Sequence, residues 1–154
     1  MAARPRARAR SRVAAPRDRP FLNTNFTVEI AASDVGSISI GFCEVILPEM
    51  PVRRPDKRAA AEGPDAAPAR LVLRRGFDGT AALRNWWHDT RRRKTPRLRT
   101  VTVCLLAEDA ATTVATWTFL GARPVSLAYS PLHASEPAVV IETLALEFDD
   151  VELR

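Results

Sequence analysis

The chain has 154 residues, of which 46% are hydrophobic and 27% charged, as in an ordinary single globular domain. Its two cysteines are too few for a disulfide framework, and no apolar run approaches the ~20 residues that span a membrane. The net charge is +5, but residues 1–20 hold seven arginines and one aspartate, which give +6. The remaining residues therefore have a net charge of −1. Because the body of the chain is nearly neutral, the basic net charge is weak evidence for nucleic-acid binding.

Residues 1–20 contain three prolines and no apolar periodicity, so we expect a tail that is disordered or ordered only by a partner. The folded domain is predicted to be residues 21–154. It opens with NFTVEI, in which Phe26, Val28 and Ile30 alternate with polar residues and predict a half-buried strand. The run SISIGFCEVIL alternates again and predicts a second strand, antiparallel to the first.

Residues 48–70 show neither a strand nor a helix period and are rich in proline and charge. A stretch of this length without regular structure is unusual inside a small domain. We therefore expect these residues to form a loop that is either functional or disordered.

A short strand and the single predicted helix follow. In RLVLRRG, Leu71 and Leu73 are predicted to face inward. The period then changes, because Leu83, Trp86, Trp87 and Thr90 fall at i, i+3, i+4 and i+7, which indicates a helix with one buried stripe. Asp78 or Thr80 could cap its beginning, the basic residues 91–94 suit its negative end, and Pro96 ends it.

Three further strands are predicted: RTVTVCLLA, then TTVATWTFLGARPVSLAYS with an interruption at Gly121–Pro124, then AVVIETLALEFDDVEL. Trp117 and Phe119 share one face of the second of these. About six or seven strands and one helix predict a mainly β fold, an antiparallel β-sandwich or barrel with one flanking α-helix. No repeated βαβ unit and no glycine-rich phosphate-binding motif supports a nucleotide-binding fold.

The stretch LRNWWHDTRRRK allows two interpretations. Its tryptophans could stack on bases beside a basic groove. Alternatively, they are buried and the cations are a solvated helix end. The second is favoured because the rings join the apolar stripe begun by Leu83 and the cations follow the rings rather than alternate with them. Leu83, Trp86, Trp87, Trp117 and Phe119 are accordingly predicted to be core residues.

Nothing in the sequence predicts catalysis. His88 and Asp89 are helix neighbours that do not face each other, and His133 lies in a proline-rich connection. No C-x-x-C, H-E-x-x-H or G-x-S-x-G pattern is present. We therefore predict no enzyme activity, no metal site and no cofactor. A small β-domain with apolar edge strands is instead suited to joining copies of itself.

Several segments, in this order, resemble the phage tail tube protein family and in particular the inner tube proteins of contractile injection systems. FLNTNFTVEI resembles the opening strand of the family, and IGFCEVILPEM the second strand. LVLRRGFDGTAALRNWWHDTRRRK resembles its strand–glycine–helix segment. VTVCLLAEDAATTVATWTFLGARPV and VVIETLALEF resemble its terminal strands. Order and spacing across residues 21–153 carry the resemblance, since no single motif is diagnostic.

The resemblance implies a structural subunit, without catalytic residues, that forms homo-hexameric rings stacked ring on ring into a hollow tube. The implied partners are sheath and baseplate proteins and a protein cargo in the lumen, with no membrane anchor and no nucleic acid. The implied location is the bacterial cytoplasm, within a phage-tail-like particle. The strands around 26–30, 38–46 and 139–148 would supply lumen and ring contacts.

The loop after the second strand would, by the same resemblance, reach the adjacent ring. Here it would do so through Arg53, Arg54, Asp56, Lys57 and Arg58. This loop and the arginine-rich tail both depart from the family pattern. Two alternatives therefore stay open: a tube-initiating ring at the baseplate, and a small nucleic-acid-binding module that uses the tail.

Overall fold

The computed structural model describes residues 19–32, 36–50 and 68–154. The elements in these ranges are β1 Phe26–Ala32, β2 Gly36–Ser39, β3 Glu44–Ile46, β4 Leu71–Gly76, α1 Ala82–Arg92, β5 Arg99–Leu106, β6 Thr113–Tyr129, β7 Ile141–Glu147 and β8 Asp150–Leu153. All strand pairs among the described residues are antiparallel, which confirms the predicted mainly β fold with one helix.

The strands form one hydrogen-bonded path in the order β2-β1-β5-β6-β7-β4-β3, with β8 also paired to β6. The 17-residue β6 belongs to two halves of this path. Its first part pairs with β5 and β8, and its second part pairs with β7. We call the β2-β1-β5-β6-β8 half sheet 1 and the β6-β7-β4-β3 half sheet 2.

The two sheets and the helix share one apolar core. Sheet 1 contributes alternate residues of β1, β5 and β6, as the predicted two-residue period requires. Sheet 2 contributes alternate residues of β4 and β7, and α1 contributes one stripe. The fully buried members are Val28, Ile30, Leu71, Leu73, Leu83, Trp86, Val101, Val103, Phe119, Ala122, Leu144 and Leu146.

β6 passes from one sheet to the other without interruption, so the break predicted at Gly121–Pro124 is wrong. Gly121 has a φ of 65°, and the register with β7 shifts between Pro124 and Ser126. These irregularities bend the strand but leave its pairing intact, because β5 pairs before the bend and β7 after it. Gly121 and Pro124 therefore lie at a bend within β6 and do not end the strand.

SISIGFCEVIL is two strands rather than the one predicted. β2 pairs with β1 in sheet 1, and β3 pairs with β4 in sheet 2. The chain crosses from one sheet to the other between them, over residues 40–43. Apolar alternation continues through this crossing because Ile40 and Phe42 still pack against the core.

Two smaller predictions are also wrong. AVVIETLALEFDDVEL is two strands, because the strand pairing breaks at Phe148 and Asp149 before the chain continues in the same direction along β6 as β8. The N-cap of α1 is Ala81, with no side-chain cap. Asp78 instead accepts hydrogen bonds from the backbone and hydroxyl of Thr80, at 2.9 and 2.8 Å, and so closes the turn before the helix.

Candidate assembly surfaces

Sheet 2 has an unpaired strand side at both of its ends within the described residues. At one end lies β3, which pairs only with β4. At the other end lies the second part of β6, which pairs with β7 on one side; β5 pairs with β6 only as far as Ala122. Unpaired strand sides are natural templates for pairing with another chain.

The β3 end presents a mixed apolar and charged surface. Ile46 is 48% exposed and Met50 is 42% exposed. Glu44 forms an ion pair with Arg74 on the neighbouring strand β4, and both side chains are largely exposed. The backbone N–H of Cys43 donates to the carbonyl of Arg74 at 2.9 Å, which holds the segment before β3 against β4.

Two exposed aromatic rings are in contact across β7, one just after β4 and one at the last residue of β6. Phe77 and Tyr129 meet edge to face with ring centroids 5.5 Å apart. The backbone N–H of Phe77 donates to the carbonyl of Val140 at 2.8 Å, which ties the β4–α1 connection to the entry of β7. Val139, 70% exposed, lies against Gly76 next to these rings. We call Phe77 and Tyr129 the aromatic cluster.

A buried ion pair lies directly behind the aromatic cluster. The guanidinium of Arg75 donates through Nε to Glu142 Oε2 at 2.6 Å, and the two side chains are 3% and 0% exposed. Arg75 Nη2 also donates to the Thr80 hydroxyl at 2.9 Å, and the Tyr129 hydroxyl donates to Glu142 Oε1 at 3.0 Å. Among the described residues, every buried side-chain nitrogen and oxygen has a partner.

Burial and the hydrogen bond to Glu142 raise the pKa of Tyr129 above its usual 10.0. The phenol therefore stays protonated and keeps donating to Glu142 across the physiological range. This network was not predicted from the sequence, although the sequence carries a signal for it. Arg75 continues the inward phase of Leu71 and Leu73, and Glu142 continues that of Leu144 and Leu146.

The structure places the predicted core residues in two groups. Leu83, Trp86 and Phe119 are fully buried. Trp87 and Trp117 are partly buried and pack against the core cluster. The indole N–H of Trp86 donates to the carbonyl of Arg97 at 3.1 Å, which ties α1 to the segment leading into β5.

The cations around α1 cover tryptophan rings rather than open a groove between them. The guanidinium of Arg91 lies 5.3 Å from the ring centre of Trp87, and that of Arg99 lies 4.7 Å from the ring centre of Trp86. Such cation–π contacts leave Trp86 no free face for a base. The geometry therefore does not form the stacking platform considered from the sequence.

The predicted inter-ring loop residues Arg53, Arg54, Asp56, Lys57 and Arg58 lie outside the described residues, as does most of the arginine-rich tail. The chain on either side of the loop is described. Pro48 to Met50 and Pro68 to Arg70 have no regular structure, and the last three of these residues are exposed.

The described residues form no group of three His, Cys, Asp or Glu side chains that could hold a metal ion. Cys43 and Cys104 are both free thiols. An apolar cavity of about 260 Å³ opens between the sheets and is lined by Phe26, Val45, Leu47, Val103 and Trp117, among others. No helix in the described ranges is long and apolar enough to cross a membrane.

Comparison with known proteins decides the family. The family model of the T4-like virus tail tube protein gp19 matches residues 22–152. The chain belongs to this tail tube family. It is accordingly a structural tube protein, and the match extends from the segment before β1 into β8. No curated protein matches the chain in sequence.

Solved structures share the tail tube fold at low sequence identity. A chain of the 6-fold symmetrised anti-feeding prophage baseplate is 24% identical, with a TM-score of 0.67 over 90% of this chain and 97% of that chain. A chain of the PVC extracellular contractile injection system sheath–tube complex is 18% identical, with a TM-score of 0.67 over 89% and 93%. Hcp1 from Flavobacterium johnsoniae is 14% identical, with a TM-score of 0.53 over 82% and 94%.

Proposed function

We propose that this tail tube protein assembles into six-membered rings that stack into the hollow inner tube of a contractile injection system or phage tail. Family membership and the two unpaired ends of sheet 2 together support the proposal. A contact between two different ends of the same sheet is heterologous. Copies joined by such contacts close into a ring when the rotation between neighbours brings the last copy back to the first. Joining β3 of one copy to β6 of the next would make sheet 2 a continuous wall.

The outer face of sheet 2 would then surround the lumen. Its charged side chains are paired across strands: Arg70 and Arg123 both contact Glu147, and Arg123 also contacts Asp149. Together with the Arg74–Glu44 pair, these contacts leave the face without excess charge. Between the charged rows lie small or apolar side chains such as Val72, Ala145 and Ala128. Such a wall suits a conduit through which cargo passes without being held by charge.

The partners follow from the same proposal. The relatives come from a baseplate and from a sheath–tube complex, and we assign this chain sheath and baseplate partners of the same kind. Assembly would take place in the bacterial cytoplasm. The role is structural, without catalysis, and protein cargo would occupy the lumen.

Negative-stain electron microscopy of the purified, nuclease-treated full chain tests ring formation. We expect six-fold rings or short hollow tubes. A protein that stays monomeric up to its solubility limit would contradict the proposal. Rings that never stack would instead favour the tube-initiating ring.

Residues 48–70 would bridge stacked rings, through Arg53, Arg54, Asp56, Lys57 and Arg58. Deleting residues 53–58 should leave rings that no longer stack. Deleting residues 1–18 is the matched control, because the family match begins at residue 22. Stacked tubes from the 53–58 deletion would contradict the assignment of the loop.

A further inference from the structure

The outer side of β8 is unpaired. β8 lies at one end of sheet 1 and pairs with β6 alone among the described strands. Two backbone hydrogen bonds between Thr116 and Arg154, at 2.8 and 3.0 Å, extend this pairing as far as Arg154. Residues 68–70, which lead into β4, are exposed and belong to no strand. An unpaired strand side of this kind is a template for a further strand.

The two faces of β8 differ in chemistry. Val151 packs against the core, so Asp150 and Glu152, which alternate with it, lie on the face that points away from the core, and both are exposed. Leu153 shares the face of Val151 and lies opposite Trp117 in register, yet it is 61% exposed. A strand added to β8 would therefore be matched by cations on one face and small apolar side chains on the other.

The charges on the outer face of β8 are available to such a strand. Asp150 forms no ion pair with any described residue, and its Oδ1 accepts only the backbone N–H of Val151, at 2.8 Å. Glu152 contacts Arg154 at 3.3 Å, and both of these side chains are largely exposed. An exposed pair of this kind contributes little stability, so Glu152 can exchange Arg154 for another cation at small cost.

The arginine-rich tail has the complementary pattern. Arginine stands at every second position from Arg4 to Arg12. The residues that alternate with these arginines from position 7 onward have small side chains: Ala7, Ala9, Ser11 and Val13. In an extended strand this spacing places the arginines on one face and the small side chains on the other. In a helix the same arginines would be distributed around the whole circumference, so the period of the charges fits a strand.

The tail can reach β8 of its own chain. The start of β1 and the end of β8 lie at the same end of sheet 1, because β5 is antiparallel to both β1 and β6, and β8 is antiparallel to β6. Three strand spacings, about 14 Å, separate β1 from β8. Residues 14–25 would span up to about 40 Å when extended. Because the tail is tethered, its effective concentration at this edge is on the order of millimolar, which favours its own chain over a second copy.

We propose that residues 6–13 dock on the outer side of β8 of the same chain as an added strand of sheet 1. The arginines of this segment lie beside Asp150 and Glu152, and its small side chains lie beside Leu153. This inference does not rest on the proposed ring, because it concerns one chain and an edge of sheet 1, whereas the ring joins edges of sheet 2. The deletion of residues 1–18 should accordingly still form rings.

A disulfide panel tests the added strand. In chains whose two native cysteines are replaced by serine, Leu153→Cys is combined with Ala7→Cys, Ala9→Cys or Ser11→Cys. These tail positions belong to the face that lies beside Leu153 in the docked strand. Oxidation at low protein concentration should link at least one of the three within a single chain, detected by mass spectrometry of the monomer band.

The matched controls move the tail cysteine by one residue. Arg8→Cys and Arg10→Cys lie on the opposite face of the added strand, because a shift of one residue reverses the side chain. They should link to Leu153→Cys roughly tenfold less, since cysteines that point apart are not bridged. Combined with Glu152→Cys, the same two variants should link well. A tail that moves freely would link at all positions alike.

Trypsin measures the contribution of the acidic residues, because it cleaves after arginine and a docked strand is protected from it. Asp150→Asn combined with Glu152→Gln should raise the rate of cleavage within residues 6–13 by roughly fivefold, as expected from the loss of two exposed charge pairs. Sodium chloride at about 1 M should accelerate cleavage of the native chain by screening the same charges. Glu136→Gln is the matched control, an exposed acid between β6 and β7, and should leave the rate unchanged.

Each outcome decides the proposal. Equal linkage of both tail faces to Leu153→Cys, or cleavage that neither salt nor the acidic variants accelerate, would overturn the added strand. Alternating linkage that joins two copies at low concentration would overturn docking within the same chain. Alternating linkage in a chain that forms no rings would overturn the proposed function and leave the added strand standing.

Discussion

Arg75 and Glu142 form an ion pair inside the sandwich, with Nε 2.6 Å from Oε2 and both side chains almost inaccessible to solvent. They lie opposite each other in register on β4 and β7. Thr80 satisfies a further N–H of the guanidinium, and Tyr129 donates to the second carboxylate oxygen. A buried pair with this many hydrogen bonds organises its surroundings, but the loss of one partner leaves a buried charge.

Glu142→Gln should therefore lower the free energy of unfolding by about 3–5 kcal/mol, because the guanidinium of Arg75 keeps its charge and loses its buried counter-charge, while Asp78, 3.7 Å from Nη2, is largely exposed. Urea or guanidinium denaturation measures the loss. Glu44→Gln is the matched control, since it breaks the exposed pair with Arg74 and should cost at most about 1 kcal/mol. Equal losses in the two variants would contradict the burial argument.

Gly121 lies where the chain has no room for a side chain. Its φ is 65°, and a Cβ there would overlap the carboxylate of Asp149, which forms an ion pair with Arg123. Gly121→Ala should destabilise the fold by about 1–3 kcal/mol from the backbone alone, with more from the displaced carboxylate. Differential scanning calorimetry measures the shift in the unfolding midpoint.

Two further variants separate these contributions. Gly41→Ala should be nearly neutral, because no atom lies within 4 Å of a Cβ there. Adding Asp149→Ala to Gly121→Ala should restore the part that comes from the overlap and leave the backbone part. Asp149→Ala alone measures the cost of losing the ion pair with Arg123. A double variant no more stable than Gly121→Ala after this cost is subtracted would show that the overlap does not contribute.

Trp86→Ala should cost about 3–5 kcal/mol, because the ring is fully buried and its loss leaves a cavity between α1 and the sheets. The carbonyl of Arg97 also loses its hydrogen bond. Trp87→Ala should cost clearly less, since that ring is only partly buried and Arg91 covers it from the solvent side. Chemical denaturation with both variants measures the difference, and a larger loss for Trp87 would contradict this packing of α1.

Features that depend on residues close together in the sequence were predicted correctly, whereas features that depend on contacts between distant segments were not. Local alternation predicted which faces of β1, β4 and β5 are buried, because the two-residue period depends only on the strand itself. The helical stripe of Leu83 and Trp86 was predicted for the same reason. The split of residues 37–47 between two sheets was not predicted, since Ile40 and Phe42 keep the apolar pattern through the crossing.

The assembly surfaces were the least predictable part. Phe77 lies just after one strand and Tyr129 ends another, and only the pairing of β6 with β7 and of β7 with β4 brings the two rings together. The inward phases of Arg75 and Glu142 could have predicted a buried pair, because a charge in the core phase of a strand needs a partner. Sequence alone did not show that the two strands are neighbours.

The carboxylate of Asp109 makes the stability of the β5–β6 turn depend on pH in the acidic range. Its carboxylate accepts hydrogen bonds from the Thr112 hydroxyl and from the backbone N–H groups of Thr112 and Ala111, and these lower its pKa from the usual 3.8 to about 2. Because the pKa is lower in the folded chain than in the unfolded one, the stabilisation is fully present above about pH 4 and is lost as the pH falls through about 2.

Asp109→Asn should accordingly lower the unfolding midpoint at pH 5, and its difference from the native chain should shrink steadily between pH 4 and pH 2. Thermal unfolding followed by circular dichroism across this range measures it. Glu136→Gln is the control, in an exposed connection between β6 and β7, and its difference from the native chain should not follow this pH course. A gap between Asp109→Asn and the native chain that stays constant down to pH 2 would mean that the carboxylate charge does not stabilise the turn.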